Sequence, residues 1–231
     1  MNAASVRLRV RAELADEIKA AARRQLANEG AAALSLRAVA REMGMASSAI
    51  YRYFPSRDDL FTALIVDAYN AMGERVELAE SGVRRSDYRG RWMAVCHAVR
   101  RWATENPHEY GLVFGTPVPK YAAPPDTIMP ATRVTRVLVD ITVDALSAGA
   151  VSVDREPVPK AVRADLVIIR GFFGQGPAQL DDDLIVRGII AWTHLYGAIN
   201  FELFGHRAGS VTNHDAFFDH EMRRIAAFVG L

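Results

Sequence analysis

Residues 35–54 read SLRAVAREMGMASSAIYRYF. Leu36, Val39, Ala40 and Met43 fall on one face of a short helix, Gly44 breaks it, and residues 47–54 form a second short helix. Ala40 stands four places before the glycine, where two crossing helices must approach closely. That is the geometry of a helix-turn-helix, whose second helix lies in a DNA major groove with its first residues toward the base edges. Leu36, Val39, Ile50 and Phe54 can pack the pair onto a neighbour, which leaves Ser47, Ser48, Tyr51 and Arg52 pointing outward. Hydroxyls, a phenol and a guanidinium are the groups that phosphate and base contacts need. Two short helices joined at a glycine also occur in helical proteins that never touch DNA. Tyr51 and Tyr53 flanking Arg52 favour an interface, because aromatic rings left in solvent usually serve one.

The flanking sequence completes a small head. Leu14, Ile18, Ala21, Ala22 and Leu26 recur at helical spacing up to Gly30, and Ser35 stands where an N-cap belongs. Pro55 stops the second motif helix, and Ser56 is a further N-cap opening a long helix. Its stripe of Leu60, Phe61, Leu64, Ile65, Ala68, Met72 and Val76 gives a length suited to joining head and body. Residues 1–60 hold 10 Lys+Arg against 7 Asp+Glu, and the rest of the chain 18 against 20, so a basic head precedes a slightly acidic body. Arg7, Arg9 and Arg11 alternate ahead of the first helix. A flexible basic arm of this kind enters a minor groove, lies along phosphates or stays solvated.

The remainder also reads as helices, around residues 92–106, 108–114, 132–148 and 159–173, with a four-proline break at 115–125 and a turn at 174–177. Nothing shows sustained alternation bounded by hairpin turns, so the expected fold is all-α. Two domains are expected, a helix-turn-helix head over 1–57 and a helical body over 58–231. Near the C-terminus Ile185, Ile189, Trp192, Tyr196, Ile199 and Leu203 form one apolar row, and Leu184, Gly188, Ala191, Leu195 and Ala198 a second beside it. Phe218, Met222, Ile225 and Val229 repeat the spacing in the final helix. A helix apolar over so much of its girth needs cover on two sides, by its own core and by something else, such as a second copy of the chain. Residues 188–205 carry His194, Asn200 and Glu202 and suit a buried helix better than a membrane span.

The chain has 231 residues, of which 50% are hydrophobic and 24% charged, which excludes a disordered or collagenous chain and leaves room for one large core or a small domain beside a larger one. Its one cysteine, Cys96, rules out an internal disulfide, and the arginine-rich start lacks a secretory h-region, so a cytoplasmic location is expected. Enzymatic readings are thin. Cys96 and His97 are adjacent but about 100° apart on a helix, and Cys96 sits on the apolar stripe. Residues 171–176, GFFGQG, have glycines as a phosphate loop does, but no strand precedes them. His214 and His220, six apart, make a poor metal pair, and no Gly-x-Ser-x-Gly elbow is present. No enzyme activity, cofactor or metal is expected. A helical module binding only protein is the third class.

Residues 12–65 resemble the DNA-binding head of TetR-like transcriptional regulators. The resemblance runs from the opening helix through Gly30 and Ser35-Leu36-Arg37 to Ile50-Tyr51-Arg52-Tyr53-Phe54, matching an Ile/Leu-Tyr-x-x-Phe signature. Phe54 to Leu60, FPSRDDL, matches an FxxKxxL-like box, with Arg57 standing where the family more often has lysine. The resemblance implies that Ser35 and Arg37 touch phosphates, that Ser47, Ser48 and Tyr51 face the groove, and that Tyr53 and Arg57 clamp the backbone. At Ala46 the family usually has a capping Ser or Thr; Ser47 is a substitute cap. Residues 192–197, WTHLYG, look like the tryptophan-histidine-glycine helix of one branch of TetR-like C-terminal domains. In that branch the last two long helices pair with their counterparts as a four-helix bundle.

The reading that follows is a homodimer on a palindromic operator in double-stranded DNA, released by a small apolar effector, with repression the family's habit. The dimer would use Ile185, Ile189, Trp192, Tyr196, Ile199, Leu203, Phe218, Met222 and Ile225. Candidate effector walls are Trp92, Val99, Trp102, Tyr110, Phe114, Met129, Phe172 and Phe173, with Arg133 or His97 as polar anchors. No membrane partner is expected.

Overall fold

The computed structural model describes residues 3–173 and 180–231, and every element in it is helical. The turn expected at 174–177, and residues 174–176 of the 171–176 glycine run, lie outside the described residues. The helices are α1 (Ala3–Glu29), α2 (Leu36–Glu42), α3 (Ser47–Ile50), α4 (Arg57–Ser81), α5 (Tyr88–Glu105), α6 (Pro107–Phe114), α7 (Ile128–Ser147), α8 (Lys160–Phe173), α9 (Asp182–Leu203) and α10 (His214–Phe228). No helix among the described residues is long and apolar enough to cross a membrane.

Packing divides the chain into two compact units, residues 1–70 with 106–131, and residues 71–105 with 132–231. The boundary expected at residue 57 is therefore not where the packing divides. α4 belongs to the first unit through Asn70, and α6 with the proline-rich segment after it joins the head. The reason is apolar surface. Leu112, Val113, Val118 and Tyr121 lie against the head core, Tyr121 meets Phe61 edge-on, and its hydroxyl lies 2.9 Å from that of Thr62. Arg23 adds a tie to Glu109 at 3.2 Å.

The head core is Ile18, Ala21, Ala22 and Leu26 of α1, Leu36, Val39 and Ala40 of α2, Ile50, Phe54, and Leu60, Phe61, Leu64 and Ile65 of α4. Two glycines with positive φ, Gly30 (81°) and Gly44 (65°), allow the chain to reverse after α1 and α2. At the second, Met45 N–H donates to the Ala40 carbonyl (2.8 Å) and Gly44 N–H to that of Arg41 (3.1 Å), the paired bonds of a Schellman motif. Ser56 accepts from Asp59 N–H at 3.1 Å and so caps α4.

In the second unit α5 is central. Its residues Trp92, Val95, Cys96, Val99, Trp102 and Ala103 are buried, and Trp92 Nε1 donates to the Met222 carbonyl on α10 at 3.2 Å. Arg91 is fully buried and binds Glu80 and Asp144, at 2.8 Å in the latter case, which fixes the end of α4 to α5 and α7. Gly73 is needed in mid-helix because a Cβ there would lie 2.8 Å from the Arg133 side chain, which crosses α4 to reach Glu77. Asp181 and Asn213 cap α9 and α10 by accepting from Leu184 and Ala216 N–H.

Candidate nucleic-acid interface

α3 is a single turn of α-helix, shorter than the 47–54 expected, and it continues through tighter bonds: Arg52 N–H to Ala49 and Tyr53 N–H to Ile50. Ile50 is fully buried and Phe54 nearly so, and these two anchors hold the segment on the head core. The opposite side carries Ser47, Ser48, Tyr51 and Arg52, all exposed. Tyr51 keeps 42% of its surface open, a large value for an aromatic ring beside a packed core. Ala46 occupies the cap position and no side chain caps α3, so the substitute cap expected of Ser47 is not formed and its hydroxyl remains outward.

The other expected contact residues differ in setting. Arg37 is exposed at the start of α2. Ser35 stands at the N-cap position, but its hydroxyl does not cap; the order comes from buried Gln25, whose Oε1 accepts from Ser35 N–H (3.1 Å) while its amide donates to the Ala33 carbonyl (3.2 Å). Nothing in the sequence pattern distinguished Gln25 from the neighbouring polar residues of α1. Tyr53 is half-buried under Arg11, whose guanidinium carbon lies 5.9 Å from the ring centre. Arg57 turns inward to the carbonyls of Leu34 (3.0 Å), Ala31 (2.9 Å) and Ala32 (3.3 Å), so its guanidinium closes the turn between α1 and α2.

Charge on the head is less even than its net value suggests. Arg9, Lys19, Arg23, Arg24 and Arg57 lie within ion-pair distance of carboxylates. Burial opposes the Lys19 ammonium, but hydrogen bonds to Asp67 and Asp16 outweigh it and raise its pKa. Arg7, Arg11, Arg37, Arg41 and Arg52 make no ion pair with a described residue and are all exposed. The unneutralised cations thus lie on α1, α2 and the end of α3. The expected flexible arm is absent as such: α1 starts at Ala3, so Arg7, Arg9 and Arg11 are helical.

Comparison with known proteins identifies this head. Residues 18–64 match the family described as bacterial regulatory proteins, tetR family, and residues 92–225 match the tetracyclin repressor-like C-terminal domain. The chain belongs to the TetR family. HTH-type transcriptional regulators of Mycobacterium tuberculosis (Rv1816) and Mycobacterium bovis (Mb1846) are each 39% identical over 207 residues, covering 89% of this chain and 87% of theirs. The crystal structure of SCO4313 superposes with a TM-score of 0.76 at 34% identity, covering 95% of this chain and 98% of that one. RolR, solved with the ligand resorcinol, shares the fold at 15% identity and a TM-score of 0.53, covering 94% of this chain and 89% of its own. This is therefore a helix-turn-helix transcriptional regulator with a DNA-binding head and a TetR-type C-terminal domain.

The structure separates residues that the apolar rows had grouped. Of the expected dimer row, Ile185 (7% exposed), Tyr196 (7%), Ile199 (0%), Phe218 (1%) and Met222 (0%) are covered largely or wholly by their own chain. Leu203 and Ile225 are half-buried. Ile189 (38%) and Trp192 (39%) remain open, and the residues that share their exposure, Ile190, Phe201, Phe204 and Phe217, were missed. Hydrophobicity marked both sides of α9 alike; only packing shows which is spoken for.

The candidate effector walls are also divided. Tyr110, Phe114 and Met129 belong to the first unit, the others to the second. Trp92, Val99, Trp102 and Tyr110 are core, Met129 is exposed, and burial pushes the Tyr110 phenol upward in pKa. Phe172 and Phe173 meet edge-on, ring centres 5.1 Å apart, near the end of α8, with the Arg136 guanidinium 5.7 Å from the Phe173 ring. Arg133 is held by both oxygens of Glu77, at 2.8 and 2.6 Å, and His97 Nε2 lies 3.2 Å from Asp219. Among the described residues no three His, Cys, Asp or Glu side chains are placed to hold a metal ion, and Cys96 is buried.

Proposed function

We propose that this TetR-family regulator acts in the cytoplasm as a repressor, that it binds a palindromic operator as a homodimer, and that a small, largely apolar ligand releases it. One observation carries the reading: a buried Ile50 fixes a turn of helix whose outward side chains are Ser47, Ser48, Tyr51 and Arg52. Rigid support matters because readout depends on hydroxyl and phenol groups meeting fixed base edges, with the guanidinium at the end of the segment left for the phosphates. Arg37 and Tyr53 beside it supply phosphate contacts that set the register. Arg57, committed to backbone carbonyls, supports the face from within.

The open side of α9 supports the homodimer. Ile189, Ile190, Trp192 and Phe201 leave apolar surface uncovered, and Gly188 and Gly197 leave open space where a side chain would stand, so a second helix can approach closely. A two-fold dimer sets two heads on one face of the duplex, with half-sites about 34–36 Å apart or a multiple of that. A ligand favouring another head separation weakens DNA binding by the difference in its affinities for the two forms, about 5- to 150-fold for a coupling of about 1–3 kcal/mol. The exposed Val167, Ile168 and Phe172 of α8 favour an apolar or aromatic ligand.

Selection of bound duplexes from a random pool tests the reading. A palindrome with a fixed half-site spacing is the expected result; recovery of no sequence, or of a site without symmetry, would contradict it. Trp192→Asp should yield a folded monomer in sedimentation, and an intact dimer would remove this face of α9 from the interface.

A further inference from the structure

The helical start of α1 creates a feature that the helix-turn-helix does not contain. Val6, Arg7, Val10, Arg11, Arg52 and Tyr53 line a shallow open groove between the first turns of α1 and the end of the α3 segment. Arg7 and Arg11 are four residues apart and so share a face of the helix. Arg11 Nη2 donates to the Arg52 carbonyl at 3.1 Å and its guanidinium lies over Tyr53, which ties the extension to the DNA-reading segment. Arg9 is on the other side, 3.6 Å from Glu13. Three arginines therefore line a groove without a carboxylate in its wall, and neither Arg7 nor Arg52 has an ion-pair partner among the described residues.

We infer that this groove holds a backbone phosphate of the DNA duplex just outside the half-site read by α3, with Arg7 and Arg52 as its ligands and Arg11 as the positioning residue. The inference rests on the proposed DNA-reading role of α3 and extends its contact surface by one element. Charge complementarity and continuity with the α3 face carry it. The form of the extension decides between the ways a basic N-terminus can meet DNA. A helix with side chains is about 10–12 Å across, while the minor groove is about 6 Å wide. The extension cannot thread that groove as an arm; it presents one charged face to phosphates at the groove's edge. Guanidinium forks suit this, since they meet a phosphate with two parallel hydrogen bonds. Contacts of this class position the protein and add affinity on every sequence.

The test is fluorescence anisotropy on a selected duplex and a scrambled one, over a salt series, with the full chain and its Arg7→Gln, Arg9→Gln and Arg11→Gln variants. Abolishing one phosphate interaction lowers the log-log salt slope by about 0.9 per subunit, hence nearly two in a dimer. Arg7→Gln and Arg11→Gln should both show that drop on both duplexes, with the sequence preference retained and the circular dichroism unchanged. Arg9→Gln removes the same charge from the other face and should keep the wild-type slope. A wild-type slope for Arg7→Gln, or an equal drop for Arg9→Gln, overturns the groove as a site. These outcomes are separable from failure of the underlying reading: a flat salt line for the wild type ends both. A steep wild-type line, with Tyr51→Ala losing discrimination and Arg7→Gln unaffected, ends only the groove.

Discussion

The outward side of the α3 segment and the outward side of α9 stand on the same kind of foundation and present opposite chemistry. Ile50 beneath one and Leu195 and Ile199 beneath the other are fully buried. Above them, α3 shows two hydroxyls, a phenol and a guanidinium, whereas α9 shows Ile189, Ile190, Trp192 and Phe201. The contrast is informative because the anchors are alike: what differs is what each face is left to meet. Phosphates and base edges are matched by donors on a fixed support, while a protein partner is matched by apolar area that water releases on contact. On the proposed reading the first face meets nucleic acid and the second a copy of the chain.

The comparison breaks most visibly on α9 itself. Ile199→Ala removes a buried side chain and should cost about 2–5 kcal/mol in thermal or urea unfolding, at every protein concentration. Ile189→Ala, on the same apolar row by sequence, should instead produce a loss that fades on dilution, because it acts on association. Equal, concentration-independent losses would place both residues in one core.

A smaller effect is expected at Arg57. With its guanidinium on three backbone carbonyls, Arg57→Ala should lower the stability of the head by about 1.5–3 kcal/mol, the range for hydrogen bonds to charged groups. If Arg57 served mainly as a phosphate ligand, melting would hold and the DNA salt slope would fall by about one per subunit. Calorimetry of the free protein beside a salt titration separates the two.

The smallest effect concerns pH in the second unit. A hydrogen bond from Arg133 holds the Glu77 carboxyl below its ordinary value of 4.5. A depressed carboxylate contributes stability that is present above that ordinary value and is lost as pH falls through the folded value. The pair is partly exposed, so its worth is below about 1 kcal/mol. Glu77→Gln should lower stability slightly at neutral pH and make the acid limb below pH 4.5 shallower; an unchanged acid limb would show that the pair contributes nothing.

Local signals in the sequence carried the head well. Glycines that must take positive φ, N-caps and short apolar repeats are set by neighbouring residues, so Gly30, Gly44, Ser56 and the buried face of α2 were legible. Tertiary choices were not. That Arg57 turns inward, that Gln25 orders the entry to α2, and that the proline-rich segment after α6 docks on the head all depend on residues distant in sequence. Arginines alternating at 7, 9 and 11 looked like an arm because alternation has no helical period; on the helix they split into a face with Arg7 and Arg11 and another with Arg9. On α9 two apolar rows were visible, but which row meets the chain's own core depends on α5 and α10.

The central claim is that the outward side chains of the α3 segment read DNA sequence. It is tested most directly by the ratio of affinities for a selected duplex and a scrambled one, compared between wild type and Tyr51→Ala at one salt concentration. A large wild-type ratio that collapses toward one in the variant, with folding and oligomeric state unchanged, is the predicted result. A ratio that survives the loss of Tyr51, or a wild type that does not discriminate, would contradict it.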